Sequence, residues 1–415
     1  MSTDSRPHRR LILVLASLAL AGLSAWIGGR LISLDGLPDI GDPFDVEAFS
    51  RPIPDETNAY VLYRQAAEKL TREPQDLQGH WEAAGEAERK WLFDNHEAME
   101  IWRRGTERPD ALYILPLELK FTTLLPVSQA LRSFTRLATL EGTRLEGEGK
   151  YEEALGWYLA ILRSSRHSGK RATAIERLIG IAMHGIACQR ISSLAARPEV
   201  GTSTIRMALD SAIAIDAMTP PASDLLKCEY LGFDHSVTDP TLEDPSSFIS
   251  PAPEGSDLPL KRTLFRLKRL ILKEPERSRR VFRLIIANNL AYCDLPASQK
   301  PPMAGSGPNG SSQGQANPFL TNLYVTGPDS PASARVLSPE DLAHWQATTI
   351  YSDMCMPALG AVNKALARER SVQANLLLTL ANALHEREHG QPPETVEELV
   401  GPYLKELPEG YFAPK

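Results

Sequence analysis

Five residues near the carboxyl end of the sequence, His385-Glu386-Arg387-Glu388-His389, have the spacing H-E-x-x-H. On a helix, two histidines four positions apart share a face and can bind one zinc ion, while the glutamate between them can act as a general base. A catalytic zinc also needs a third protein ligand, and the short tail after His389 offers only glutamates on a surface-like segment. Arg387 and Glu388 are charged, which is typical of a solvated helix end. The sequence therefore predicts no metal site here, and a zinc hydrolase remains an alternative.

A second motif, Gly310-Ser311-Ser312-Gln313-Gly314, has the spacing G-x-S-x-G of a nucleophile elbow. The elbow requires a strand that turns sharply into a helix and holds the serine over an oxyanion hole. Here the motif lies in a run rich in glycine, serine and proline, which produces such a match by composition alone. We expect no serine nucleophile at this position.

Other nucleophilic or metal-binding residue types are scattered. Cys188, Cys228, Cys293 and Cys355 are widely spaced, so no C-x-x-C pair is present to begin a zinc ribbon or a redox motif, although one or two disulfides are compatible with this spacing. His184 lies on an apolar helical face, where a packed histidine is more common than a catalytic one. The sequence thus predicts no catalytic, cofactor-binding or metal-binding residue, no cofactor, and a protein that is not an enzyme.

The overall composition excludes one class of partner. The chain has 415 residues, of which 42% are hydrophobic and 23% charged, and its formal net charge is −7. A nucleic-acid-binding protein needs a basic surface to neutralise phosphates. We therefore expect no nucleic acid among the partners of this globular chain.

The amino-terminal segment has the properties of a membrane anchor. Residues 11–29 carry no charge, and as a helix with a rise of ~1.5 Å per residue they extend over about 28 Å, close to the hydrocarbon thickness of a bilayer. Basic residues precede this run and aspartates follow it, so the positive-inside rule places the amino terminus in the cytoplasm. The prediction is a single span of the inner (cytoplasmic) membrane over residues 11–32, with the bulk of the chain exported to the periplasmic side. A cleaved signal peptide ending at Ala19-Leu20-Ala21 is the alternative.

After the anchor, helical periodicity and capping signals recur and period-two alternation is rare, so the predicted class is all-α. Ser338 followed by Pro339, and Thr395 followed by Glu398, are typical of helix starts, and Gly390 is typical of a helix end.

The composition divides the chain into these consecutive segments: 1–10, cytoplasmic basic N-terminus; 11–32, anchor; 33–54, tether; 55–219, helical domain; 220–258, acidic proline-rich loop region; 259–292, basic helical segment; 293–337, low-complexity loop; 338–415, C-terminal helical region with a short tail helix.

One stretch of the helical domain, residues 135–166, resembles a single tetratricopeptide unit. Gly142 on its first helix and Ala154 on its second are small residues where two helices would pack closely, and Gly149 lies near the turn. Glu141 and Arg166 depart from the usual pattern, and no second copy follows. We predict helical hairpins stacked in a tetratricopeptide-like or irregular α-solenoid, while a hairpin within an ordinary α domain is the alternative.

The segment from Lys261 to Arg283 is strongly basic and has apolar residues along one helical face. Such a helix can lie on anionic lipid or bind an acidic partner. A solvated face neutralised by the neighbouring acidic loops is the simpler interpretation. An exported protein that contacts a lipid surface is therefore a further alternative function.

Two parts of the sequence resemble a known group of proteins. The tail "ANALHEREHGQPPETVEELVGPYLKELP" and the helical stretch that contains "GKYEEALGWYLAILRSSR" are similar to uncharacterised, N-terminally anchored, mainly helical proteins of planctomycete bacteria. The resemblance covers about half of the chain and implies that the positions of His385 and His389 are ordinary helix positions. It provides no catalytic residues. The predicted function is a membrane-anchored, exported helical scaffold that binds other proteins, anchored through residues 11–32.

Overall fold

Helices form the architecture of the chain in its computed structural model, which describes residues 6–120, 123, 125–238, 271, 273–305, 320–347, 349, 356–408 and 410. In these ranges no β-strand is present, and pairing of extended backbone is limited to isolated bridges such as Asn58 with Asp110. The prediction of an all-α fold is confirmed. The helices are α1 (Arg6–Asp35), α2 (Val46–Phe49), α3 (Ala59–Lys69), α4 (Glu86–Asp94), α5 (His96–Thr106), α6 (Pro126–Gly147), α7 (Tyr151–His167), α8 (Ala174–Ala195), α9 (Thr202–Asp216), α10 (Ala222–Thr238), α11 (Glu274–Leu290), α12 (Pro339–Ala347) and α13 (Met356–His389).

The chain forms two compact units, and each is discontinuous in sequence. One unit contains the described residues within Met1–Asp45 and Phe233–Pro357, and the other contains those within Val46–Gly232 and Ala358–Lys415. We call them the N-terminal unit and the hairpin unit. Composition divides the chain into consecutive segments, whereas the hairpin unit draws its core from segments far apart in the chain.

In the N-terminal unit, α1 continues beyond the apolar run and ends at Asp35. Leu34 and Leu37, which belong to the predicted tether, are buried. The guanidinium of Arg280 on α11 donates to the carbonyls of Leu34 (3.4 Å) and Leu37 (3.1 Å). The first residues after the predicted span are therefore attached to α11 by side-chain to backbone hydrogen bonds.

The basic residues of α11 that the structure describes are paired with carboxylates. Arg279 bonds Asp234 (2.7 Å), and Arg283 pairs with Asp39 (3.0 Å) and Asp42 (3.3 Å). Much of the predicted basic segment, including Lys261, lies outside the described residues. The acids come from the preceding acidic region (Asp234), from α11 itself (Glu276) and from Asp39 and Asp42. The described arginines are thus neutralised, as the simpler interpretation expects, but Arg277 and Arg283 are buried rather than solvated.

The hairpin unit is built around α7, whose side chains are buried on nearly every face. This helix packs against α5, α6, α8 and α9. A helix that is apolar all round occupies the centre of a bundle, whereas an amphipathic one lies at its surface. Helix α6 begins at Pro126, and a proline is tolerated there because the first N–H groups of a helix have no partner within it. The turn to α7 contains Gly149 with φ +75°, a conformation that favours glycine.

Gly142 was predicted to pack against Ala154, but the residue that it faces most closely is Tyr158. A Cβ added at Gly142 would lie 2.3 Å from Cε1 of Tyr158, and its three nearest neighbours are all atoms of that ring. The hydroxyl of Tyr158 donates to Oε1 of Glu146 on α6 at 2.5 Å. Gly142 is therefore small because it faces an aromatic ring that is held in place by a buried hydrogen bond.

The predicted helix boundaries near the carboxyl end are confirmed. The hydroxyl of Ser338 accepts from the backbone N–H of Asp341 (3.1 Å), Gly390 follows α13 with φ +75°, and Thr395 forms a capping box with Glu398 before the short 3-10 helix Val396–Leu399. Leu376, Leu380 and Leu384 of α13 lie in the core of the hairpin unit. This helix thus completes a core whose other members lie either more than a hundred residues earlier, up to Ile215, or in the tail at Leu399, Tyr403 and Leu404.

Candidate functional site

Helix α8 exposes apolar side chains on the face that it does not bury. Ile175 is 60% exposed and Leu178 and Ile186 are each 38% exposed, while Met183 and Ile191 on the other face are buried. The helix begins with a capping box in which Thr173 and Glu176 satisfy each other's backbone N–H groups. A folded surface helix normally places polar residues on its outer face, so the outer face of α8 needs a separate explanation.

The same helix meets the length and composition of a membrane span among the residues that the structure describes. It has 22 residues, a mean hydropathy of 1.2 over its most apolar window, and 44% of that window buried inside the protein. Core helices of globular proteins pass the same test. The apolar character of α8 therefore follows from one buried face and one exposed apolar face.

A groove of about 430 Å³ lies between α8 and α6. Its α8 wall is formed by Ile175, Leu178, Ile179, Ala182, Met183 and Ile186, and its α6 wall by Gln129, Arg132, Thr135 and Arg136. One wall is thus apolar and the other is polar with two cations. An apolar groove that carries charged groups on one side has the form of a site for another polypeptide.

The two arginines of this groove differ in their partners. Arg136 forms an ion pair with Glu73, whereas Arg132 donates to the amide oxygen of Gln129 at 3.2 Å. Both arginine residues are exposed. The α6 wall therefore presents positive charge to solvent beside the apolar stripe of α8.

A larger cleft of about 620 Å³ lies beside α3 and α6 and is lined mainly by charged and small side chains. Two of its charged groups, Arg64 and Glu73, already have partners. Glu73 accepts from Ser133 (2.8 Å) and pairs with Arg136, and the guanidinium of Arg64 lies 5.4 Å from the centre of the Tyr113 ring. These internal pairings leave it a weaker candidate than the α6–α8 groove.

A polar cluster is buried in the hairpin unit where α7, α8 and α13 meet. One oxygen of Glu369 accepts from Arg166 at 2.6 Å, and the other accepts from Arg177 at 2.5 Å. All three side chains are at most 4% exposed. Burial lowers the pKa of Arg177, while the charge of Glu369 raises it. Glu369 therefore ties three helices together. Its removal would leave Arg177 without a counter-charge and Arg166 with Asp216 (3.3 Å) alone.

Next to this cluster, Cys188 Sγ lies 3.3 Å from Nε2 of His184. A cysteine beside a histidine is the arrangement of a nucleophile and its base. Here, however, Nε2 also lies 2.8 Å from Oε1 of Gln373, an acceptor, so the nitrogen nearest the thiol carries a proton. Burial raises the pKa of Cys188 to about 12 and lowers that of His184 to about 4. Both groups are neutral near pH 7, and His184 is a packed histidine.

The H-E-x-x-H residues lie at the end of α13. The rings of His385 and His389 are stacked with their centres 4.3 Å apart. Nδ1 of His385 donates to the carbonyl of Gln391, and Nδ1 of His389 donates to the carbonyl of His385, both at 3.1 Å. Over the described part of the chain, no group of three or more His, Cys, Asp or Glu residues is arranged to hold a metal ion.

The charged residues inside this motif have partners of their own. The guanidinium of Arg387 donates to the carbonyls of Arg197 (2.7 Å) and Pro198 (2.8 Å), just after the end of α8. Glu388 accepts from Arg206 on α9 and from the hydroxyl of Tyr403 in the tail, each at 2.8 Å. Charged side chains thus attach the end of α13 to α8, to α9 and to the tail.

Two other sequence features are outside the described residues: the serine motif around Ser312 and the cysteine at position 355. Cys188, Cys228 and Cys293 are buried free thiols. Neither of the two prominent features of the hairpin unit was identified from the sequence. The signal for the groove was the presence of apolar residues on more than one face of α8. The signal for the buried cluster was Arg166 at a position where a proline is usual.

No family model, no curated protein and no solved structure matches the chain.

Proposed function

We propose that this protein is a membrane-anchored helical scaffold that binds another protein through the groove between α6 and α8. The observation that carries the proposal is the exposed apolar face of α8, with Ile175 60% exposed in a folded and capped helix. Burying one large apolar side chain contributes ~1.5 to 3 kcal/mol, so three such residues are enough to dominate a binding site. In this proposal α6, α7 and α8 act as the stacked, tetratricopeptide-like hairpins that form the groove.

The anchor in this proposal is α1. Its described outward residues include Val14, Leu18, Leu23 and Trp26, which are all more than half exposed. A row of large apolar side chains that expose more than half of their surface is suited to lipid. The basic residues before it and the aspartates after it favour a single span of the inner membrane with the bulk of the chain on the periplasmic side.

The proposal assigns no catalysis to the protein. Supporting it, the Cys188 and His184 pair is neutral and buried, and Arg387 and Glu388 form hydrogen bonds to other parts of the hairpin unit. The resemblance to anchored helical planctomycete proteins is compatible with a binding role. Of the alternatives, the lipid-contacting function loses support because the described arginines of α11 are paired with carboxylates.

The anchor is tested by fractionation of cells that produce the full-length protein. We expect it to stay with membranes after carbonate and high-salt washes, and we expect protease added to spheroplasts to digest its bulk. A soluble mature protein that begins near Gly22 would show instead that the apolar segment is a cleaved signal.

The groove is tested by site-specific photo-crosslinking in native cell envelopes. A photoreactive residue at position 178, in the groove, should give a discrete adduct that is absent when the residue is placed at position 213 on α9. Ile186→Glu should reduce the adduct about tenfold or more, because a charge replaces an apolar contact. Ile213→Glu is the matched control, since Ile213 is 40% exposed and Ile186 is 38% exposed. Equal adducts from both positions, or an adduct that Ile186→Glu leaves unchanged, would refute docking at the groove.

A further inference from the structure

We infer that the segment bound in the α6–α8 groove is an amphipathic α-helix with acidic side chains beside its apolar face. This inference rests on the proposed function and adds the chemistry of the partner. It follows from the length of the apolar stripe, from the groove's shape and from the charge of its second wall.

The apolar wall has the periodicity of one helical face. Ile175, Leu178, Ala182 and Ile186 are exposed and follow one another at intervals of three or four residues. At a rise of ~1.5 Å per residue, the stripe from Ile175 to Ile186 extends over about 16 Å, or three helical turns. The small residue Ala182 lies between Leu178 and Ile186, so a partner backbone can come close at the middle of the stripe. A helix of three turns or more, with its apolar residues at the same intervals, matches this surface.

The second wall determines the charge of the partner. Among the ten described residues that line the groove, two are arginines and none is a carboxylate. Arg132 and Arg136 are one helical turn apart on α6, so they can pair with acidic residues at the same interval on a bound helix. Glu73 already pairs with Arg136, whereas the amide of Gln129 carries no charge to neutralise Arg132. The cationic wall therefore favours glutamate or aspartate along one edge of the partner's apolar face.

The sign of this wall is opposite to that of the whole protein. The chain has a formal net charge of −7, so its long-range field repels anionic partners. Preference for an acidic helix must then come from the local wall. A flat anionic bilayer is less suited than a helix, because the apolar residues and the arginines face each other across a concave groove.

The experiment uses the full-length protein in neutral phosphatidylcholine nanodiscs and three fluorescent helical peptides of about 18 residues each. The first has a leucine stripe flanked by glutamates, the second has the same stripe flanked by lysines, and the third keeps the glutamates but has serines for leucines. Binding is followed by fluorescence anisotropy. We expect the leucine and glutamate peptide to bind about fivefold or more tightly than the lysine peptide, and the serine peptide to bind least.

Protein variants test the contribution of each groove wall to peptide binding separately. Arg132→Glu should remove or reverse the preference for the glutamate peptide, and Ile186→Glu should weaken both leucine peptides about tenfold or more. Ile213→Glu adds the same charge on α9 and should leave both affinities unchanged. A fourth measurement places an environment-sensitive fluorophore on Ile186→Cys, with the labelled wild type as the control for other cysteines.

Three other results would refute either the proposed function or the acidic, helical nature of the partner. If neither leucine peptide binds, or if Ile186→Glu binds them as the wild type does, the proposed function itself fails. If both peptides bind through Ile186 but the lysine peptide binds as well or better, the groove is a binding site and the acidic partner is wrong. If the fluorophore moves to an apolar environment in anionic nanodiscs without peptide, the groove binds lipid and the inference is refuted.

Discussion

Substitution of Gly142 by alanine tests the packing of the α6–α7 hairpin with a single methyl group. The added Cβ would lie 2.3, 2.5 and 2.8 Å from three atoms of the Tyr158 side chain, well inside ordinary contact distance. The ring has no room to move freely, because Tyr158 is fully buried and its hydroxyl bonds Glu146 at 2.5 Å. The methyl group therefore forces either the ring or the two helices apart.

The expected change in the free energy of unfolding combines three effects. Overpacking of a core costs ~1 to 3 kcal/mol, and weakening the hydrogen bond to a buried carboxylate costs about 1 kcal/mol or more. Alanine recovers ~1 kcal/mol relative to glycine in the interior of a helix. The free energy of unfolding should thus fall by about 2 kcal/mol in Gly142→Ala.

The matched control is Gly156→Ala in α7. Gly156 is also in a helix interior, but an added Cβ would meet no atom within 4 Å. Only the helix-propensity gain applies there, so this variant should be more stable than the wild type by up to ~1 kcal/mol. The two substitutions are chemically identical and are predicted to change stability in opposite directions.

The assay is urea unfolding of the full-length protein in a mild non-ionic detergent, followed by tryptophan fluorescence, with Trp157 in α7 as a reporter. The midpoint should fall for Gly142→Ala and rise for Gly156→Ala, with the slope unchanged. In a protein that already carries Tyr158→Leu, Gly142→Ala should leave the urea midpoint almost unchanged, because the ring that the new methyl group would meet is absent. Equal midpoints for the two alanine variants, or no coupling with Tyr158, would refute the close contact across the hairpin.

Three further predictions concern the buried cluster and the two histidine sites. Glu369→Gln should lower the free energy of unfolding by ~3 to 5 kcal/mol, because the buried Arg177 loses its counter-charge and Arg166 keeps only Asp216. Glu386→Gln on the exposed face of the same helix should change it by less than ~0.5 kcal/mol, and equal urea midpoints would contradict this. Since burial lowers the pKa of His184 to about 4, its contribution to stability is complete above pH about 6.5 and is lost as the pH falls towards 4, by roughly 3 kcal/mol in total. The unfolding free energy of His184→Gln should therefore fall less steeply than that of the wild type across this range, and identical slopes would show that His184 does not titrate as described. His385→Ala should leave zinc content, measured by metal analysis of the purified protein, far below one per chain as in the wild type; stoichiometric zinc that disappears in the variant would restore the hydrolase alternative.

Local signals in the sequence predicted the helical class and several helix ends, because caps and glycine stops act through neighbouring residues. Ser338, Gly390 and Thr395 each mark a boundary that the structure places at the predicted residue. The partner of Gly142 was predicted wrongly, because helical periodicity gives the face of a residue but not the size of the side chain opposite. Tyr158, rather than Ala154, occupies that position.

Features that depend on long-range contacts could not be read from local patterns. The bond between Arg166 and Glu369 joins residues 203 positions apart, and nothing in the sequence around either residue indicates the other. The groove is different, since α8 carries apolar residues on more than one face. Such a helix must either be buried or expose an apolar face, and the packing of α6 and α7 determines which. The buried network was thus beyond local sequence reasoning, whereas the exposed stripe was indicated but ambiguous.

The position of Glu369 in the chain has a consequence for how the protein is made. Arg166 and Arg177 are synthesised 203 and 192 residues before the carboxylate that neutralises them. At ~5 to 20 residues per second, this separation corresponds to a delay of about 10 to 40 s. During that time burial would leave Arg177 unpaired and Arg166 paired only with Asp216 of α9, so closing the core without α13 is unfavourable. A chain exported amino terminus first would therefore remain loosely folded until its last long helix arrives, and it would depend on protection from proteases and aggregation over that interval.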